Sequence, residues 1–289
     1  MCDERTVHED EEFLADAANV SRRGFALLGA GALAACSTTA GAATLTEQDV
    51  TITTPDGTCD AHFVHPARGR HAAVLVWPDI GGLRPGFRTM GRRLAESGYA
   101  VLTVNPFYRS ARAPVLAEGE AFTQPEVRAR LMSYTAQFNP ESIARDATAY
   151  IGWLDQQAAV DTRKGVGTTG YCMGGALTMR TAAAVPNRVR AGGSFHGGGL
   201  ATDAPTSPHL LIPQMRASYL VAIAQNDDAA DPGAKDRLRA AFDAANRPAE
   251  IEVYPAQHGW CSIDSRVYDQ VQADRAWARL LALFEANLA

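Results

Sequence analysis

The chain has no excess of positive charge. Its 27 Lys and Arg residues are outnumbered by 32 Asp and Glu, for a net charge of −5. The arginines are scattered among carboxylates, so no basic field is available for a nucleic acid. No apolar run is long enough to span a bilayer as an ordinary helix, and internal repeats are absent. His62, His65 and His71 are close in sequence but have no carboxylate or cysteine at ligand spacing, so no metal site is expected. No cofactor motif is present. What remains is the composition of a soluble enzyme, with 289 residues, 46% of them hydrophobic and 20% charged, enough to bury one sizeable core.

The first 43 residues read differently from the rest. Ser21-Arg22-Arg23-Gly24-Phe25 places twin arginines before an apolar stretch through Leu27, Leu28, Leu33 and Ala35. This order resembles a Tat export signal. The stretch ends at Leu33-Ala34-Ala35-Cys36, which resembles a bacterial lipobox and makes Cys36 the candidate lipidation site and membrane anchor. A cut after Ala40-Gly41-Ala42 is the alternative, and it would release a free periplasmic protein. Residues 1–43 are therefore expected to lie outside the fold, and 44–289 to form a single domain.

Beyond Thr44, strand and helix signals alternate. Two β-prone runs, Asp49–Thr54 and Ala61–His65, flank the turn signal Pro55-Asp56-Gly57. Ala72–Trp77 and Ala100–Val104 are continuous apolar runs of the kind buried on both faces of a sheet. Between them Phe87–Ser97 has helical spacing, as does Glu141–Gln157 behind Asn139-Pro140. Further strands are expected at Gly165–Thr169, Ala191–Phe195, Tyr219–Ala224 and Glu250–Tyr254. Helices are expected at Gly174–Ala184, Ala234–Ala245 and Val271–Leu288. The pattern predicts a mostly parallel sheet with helices on both faces. The irregular stretch 106–139 leaves a strand end and reads as a lid.

Gly170-Tyr171-Cys172-Met173-Gly174 lies at one of the strand-to-helix junctions. A nucleophile between small residues at such a bend is held in a strained, exposed position above the sheet, which makes Cys172 a nucleophile elbow. A thiol needs a base to become a thiolate. His258 follows the last expected strand and precedes the last helix, where an imidazole can reach the elbow. Asp227 and Asp228 follow an earlier strand, and either can orient that imidazole. The N–H of Met173 and one from Pro78-Asp79-Ile80-Gly81-Gly82 can form an oxyanion hole. His196, at another strand end, is a candidate pocket residue.

These segments, with Ala224-Gln225-Asn226-Asp227 and Tyr254-Pro255-Ala256-Gln257-His258-Gly259, resemble the dienelactone hydrolase family of the α/β-hydrolase superfamily. The resemblance covers roughly residues 50–288. It implies an α/β-hydrolase fold, no cofactor, and hydrolysis of a small ester or lactone through an acyl-enzyme on Cys172. It favours Asp227 over Asp228 and Ile80 as the second oxyanion donor. It also implies Asp79, one methylene shorter than the family's usual Glu, as partner of the resting thiol, and Arg109 as an anchor for a substrate carboxylate. A second anchoring arginine is expected four residues after the base, where this chain has Ser262. Trp260, Trp77, Phe107 and Tyr108 are candidate pocket walls. Acyl transfer or thioester hydrolysis would use the same residues, and a non-catalytic, surface-anchored binding protein is the alternative from another class. Cys59 and Cys261 could pair in an oxidising compartment. The oligomeric state is left open.

Overall fold

Strand alternation splits the apolar residues between two helical layers. The computed structural model describes residue 6, residues 8–15 and residues 44–289. The twin arginines, the apolar stretch after them and Cys36 lie outside these described residues. An eight-stranded sheet runs through the domain in the order β1-β2-β4-β3-β5-β6-β7-β8. β1 (Leu45–Thr54) and β2 (Gly57–Pro66) form an antiparallel hairpin, and β2 pairs antiparallel with β4 (Ala100–Val104). β3 (Ala73–Trp77), β4, β5 (Val166–Tyr171), β6 (Val189–Phe195), β7 (Ser218–Ala224) and β8 (Ala249–Tyr254) are mutually parallel.

In β3, Val74 and Val76 join one core with Phe87, Met90 and Leu94 of α1 (Pro85–Glu96) and Leu280 and Phe284 of α7 (Gln270–Leu288). Leu75 and Trp77 point the other way, as the period of two requires. They join Tyr150 and Leu154 of α3 (Pro140–Asp155), Leu177 of α4 (Met173–Ala184) and Phe242 of α6 (Ala234–Ala244). This is the α/β-hydrolase arrangement expected from the sequence. Asn139 opens α3 with a reciprocal cap: its side chain accepts from Ser142 N–H while Ser142 Oγ accepts from Asn139 N–H.

Three short elements were not anticipated. They are α2 (Pro125–Thr135), α5 (Gln225–Ala230) and a 3-10 turn at Pro208–Gln214. In α2 only Val127 and Leu131 are buried, which leaves too narrow an apolar stripe to read. The stretch 106–139 is therefore partly helical. It packs on the site through Phe107, Val115, Val127 and Leu131 against Ile80.

The β5–α4 bend sets the position of Cys172. Cys172 has φ 54° and ψ −120°. A Cβ on Gly170 would lie 2.1 Å from the Gly174 carbonyl oxygen, and one on Gly174 would lie 2.4 Å from that of Trp77. Both obstacles are backbone and cannot rotate away. Gly170→Ala is expected to cost about 3 kcal/mol through this overlap, measured as a lower chemical-denaturation midpoint. Gly152→Ala, on an open helix face with nothing within 4 Å, is expected to be neutral or slightly stabilising.

Candidate active site

The β5–α4 bend, the first turn of α5 after β7 and the loop after β8 bring Cys172, Asp227 and His258 together at the carboxyl edge of the sheet. His258 N–H donates to Asn226 Oδ1 at 2.9 Å, which ties the β8 loop to the start of α5. The ring's Nδ1 is 2.8 and 3.0 Å from the two Asp227 oxygens. With Nδ1 donating there, Nε2 is the nitrogen left for its hydrogen bond to Cys172. Burial alone would lower the pKa of His258. The charge of Cys172, the Asp227 carboxylate and hydrogen bonds to both outweigh it and raise the pKa to about 10. The set is a hydrogen-bonded row in which the imidazole lies between Asp227 and Cys172.

His196 packs against this row. Cys172 N–H donates to its Nδ1 at 3.1 Å, and the ring lies edge-on to His258 with centroids 4.8 Å apart. Burial, followed by the neighbouring His258 charge, pushes its pKa down to about 3. His196 is therefore a neutral ring that supports the elbow without adding a second positive charge.

The N–H groups of Ile80 and Met173 donate no hydrogen bond among the described residues. Ile80 and Met173 both border the cavity beside Cys172. On the His258 side, a cavity of about 260 Å³ carries Asp79, Arg84, Cys172, His196 and Ser262 on its walls. The Leu116 to Thr123 part of the 106–139 stretch covers it, and Thr6 and Asp10 reach its mouth from the N-terminal segment.

A sequence model of the Dienelactone hydrolase family matches residues 59–288. The chain belongs to this family. It is 26% identical over 237 residues to a putative carboxymethylenebutenolidase of Methylorubrum extorquens, covering 80% of this chain and 78% of that one. It is also 26% identical to a carboxymethylenebutenolidase of Rhodococcus opacus, covering 80% and 88% of the two chains. The crystal structure of a putative dienelactone hydrolase from Klebsiella pneumoniae superposes with a TM-score of 0.72 at 24% identity. That match covers 84% of this chain and 99% of the other.

Within this dienelactone hydrolase frame several expected contacts are different. Asp228 takes Lys235 at 2.6 Å, so Asp227 is the carboxylate that meets the imidazole. Asp79, expected beside the resting thiol, uses its oxygens on Arg84 (2.5 and 2.9 Å), Gly81 N–H and Ser262 Oγ. Burial raises the pKa of Asp79, but the Arg84 charge overrides this and holds it low. Arg84 also clasps Asp264. It stands just ahead of α1, and its only sequence signal was a lone arginine before Pro85.

Arg109 is not a substrate anchor in this arrangement. Its guanidinium is held by Asp146 (two bonds of 2.8 Å) and Asp56, beneath Tyr108. It does not border the cavity. Trp260 is wholly buried behind His196 and stacked on Tyr254, so it is core rather than wall. Trp77 is likewise buried, with its indole N–H on Thr181, and Phe107 and Tyr108 are buried outside that cavity's walls. Cys59 and Cys261 are both free and buried. Burial lifts the Cys59 thiol to about 12 and that of Cys261 well above its usual value. Among the described residues no group of His, Cys, Asp or Glu could hold a metal ion.

Alkylation provides a test of these environments. Iodoacetamide at pH 7 is expected to label Cys172 and leave Cys59 and Cys261 untouched, as read by peptide mass spectrometry. Asp227→Asn is expected to slow that labelling at least tenfold because the imidazolium loses its carboxylate, whereas Asp228→Asn is expected to leave the rate within about twofold.

Proposed function

We propose that the protein is a cysteine-nucleophile hydrolase of carboxylic esters or lactones. The observation that carries this reading is the unbroken row from Asp227 through His258 to Cys172 at an elbow flanked by unused N–H groups. Family membership and the similarity to carboxymethylenebutenolidases support the substrate class.

In the reaction, the Cys172 thiolate forms an S–C bond to the substrate carbonyl, and the C=O π pair moves onto oxygen. The Ile80 and Met173 N–H groups receive this oxyanion. Collapse breaks the ester C–O bond, and the leaving oxygen takes the proton from His258. Neutral His258 then removes a proton from water as the hydroxide adds to the thioester. The C–S bond breaks, returning the thiolate beside an imidazolium. Asp227 holds the ring in the tautomer that both proton transfers need.

Asp79 acts one step away from the sulfur. Its carboxylate neutralises Arg84 at the cavity wall, and Ser262 supports it from the position where a second arginine was expected. This reading therefore has no doubly anchored substrate carboxylate.

We also propose export by the Tat route, with anchoring through Cys36 or release by a cut after Ala42. Support comes from the order of Arg22, Arg23, the apolar stretch and the small residues. Either cleavage would remove Thr6 and Asp10 from the cavity mouth. Wild type and an Arg22→Lys, Arg23→Lys variant would be compared by cell fractionation. The variant is expected to stay in the cytoplasm, and undiminished export would refute the route.

For catalysis, Cys172→Ala is expected to lose turnover of a simple aryl ester by at least 10⁴-fold, on the order seen when a catalytic nucleophile is removed. Retained turnover would refute the mechanism. The pH profile has a definite sign. His258 must be protonated to release the leaving group and loses that proton at about pH 10. kcat/KM is therefore expected to hold through neutral and mildly alkaline pH and to fall as pH rises through about 10.

A further inference from the structure

Cys172 stands at the junction of two cavities. The second, also about 260 Å³, opens beside the sulfur and is not bordered by His258. Its apolar walls are Ile80, Met132, Phe138, Met173, Ala176 and Leu177. One charged residue borders it, Arg180, whose guanidinium donates to the Thr206 carbonyl at 2.7 Å. The cavity on the His258 side carries the charged side chains of Asp79, Arg84, Asp264 and Arg266 beside the apolar Leu116, Ala121 and Phe122, and it shares Ile80 and Cys172 with the second cavity.

The direction of the reaction assigns the two chambers. His258 has to protonate the leaving oxygen, so the alcohol part of an ester lies on the His258 side. The oxyanion donors Ile80 and Met173 fix the carbonyl between the chambers. The remaining substituent on the carbonyl carbon is the acyl chain, and it extends away from His258 into the apolar chamber. We propose that this chamber is an acyl-binding subsite and that the preferred substrates are open-chain esters with an apolar aliphatic acyl group. A small lactone joins acyl and leaving oxygen in one ring and cannot fill both chambers. The inference rests on the hydrolase reading above and adds the substrate class to it.

The test uses acetyl, butyryl and hexanoyl esters of one fluorogenic alcohol, with a five-membered lactone beside them. Apolar burial predicts a rise in kcat/KM of about fourfold per added methylene until the chamber is full. The lactone is expected to be the poorest substrate. Met132→Trp, on the covering helix, and Ala176→Leu, on α4, each narrow the chamber. Both are expected to reduce the hexanoyl-to-acetyl ratio of kcat/KM at least tenfold, and thermal melting checks that each variant is folded. A flat acyl series, or an equal loss on all three esters in both variants, would overturn the proposal.

A binding readout separates this from failure of the chemistry. In Cys172→Ala, the hexanoyl ester is expected to bind at least tenfold more tightly than the acetyl ester by calorimetry, and to lose that advantage when Met132→Trp is added. Equal binding of the two esters overturns the subsite. If the wild type cleaves no ester while the binding difference is present, the hydrolase reading fails and the subsite stands.

Discussion

A cysteine held at φ 54° occupies backbone space that costs on the order of 1–3 kcal/mol for a residue with a Cβ. The conformation persists only because the surroundings over-determine it. Cys172 N–H is shared between the Phe195 carbonyl at 3.0 Å and His196 Nδ1 at 3.1 Å. Gly170 and Gly174 let the strand, the bend and the Trp77 backbone close to distances that no side chain would permit. The strain aims the sulfur out of the sheet, at the start of a helix and beside two free N–H groups. Every other part of the site is arranged around that point.

Charge placement follows from burial. Two buried histidines lie edge to edge with ring centroids 4.8 Å apart, and two positive rings there would repel strongly. The structure divides their roles. His258 lies between Cys172 and Asp227, which raise its pKa and favour its protonated form. His196 accepts from a backbone N–H and is held neutral. Nearby, Arg84 is shared between Asp79 and Asp264, so these cavity-wall charges are held in ion pairs with one another.

The legible parts of this protein were those encoded locally. The buried strands Ala73–Trp77 and Ala100–Val104 declared themselves as unbroken apolar runs, and the elbow as a glycine-flanked cysteine. His258 and Asp227 were readable because each follows a strand that ends at the same sheet edge. The resemblance favoured Asp227 over Asp228, and the structure agrees: the imidazole meets Asp227 while Lys235 takes the second carboxylate. Helix α2 was missed because two buried residues in eleven make almost no periodic signal. Arg109 was misassigned for a different reason: a strand-end arginine has the same local sequence whether it faces a substrate or a buried Asp146.

By itself the sequence determined the layered α/β frame and the placement of Cys172, Asp227 and His258, in that order, after strands that end at one sheet edge. These depend on spacing along the chain, on glycine at the bend and on apolar periodicity, all of which are local properties. Tertiary structure alone decided which histidine carries charge, which arginine meets Asp79 and where the two cavities lie around the sulfur. Those outcomes come from groups far apart in sequence competing for the same few hydrogen bonds among buried partners. The competition has no signature in any one segment, because each contender is an ordinary polar residue until the fold sets its distances.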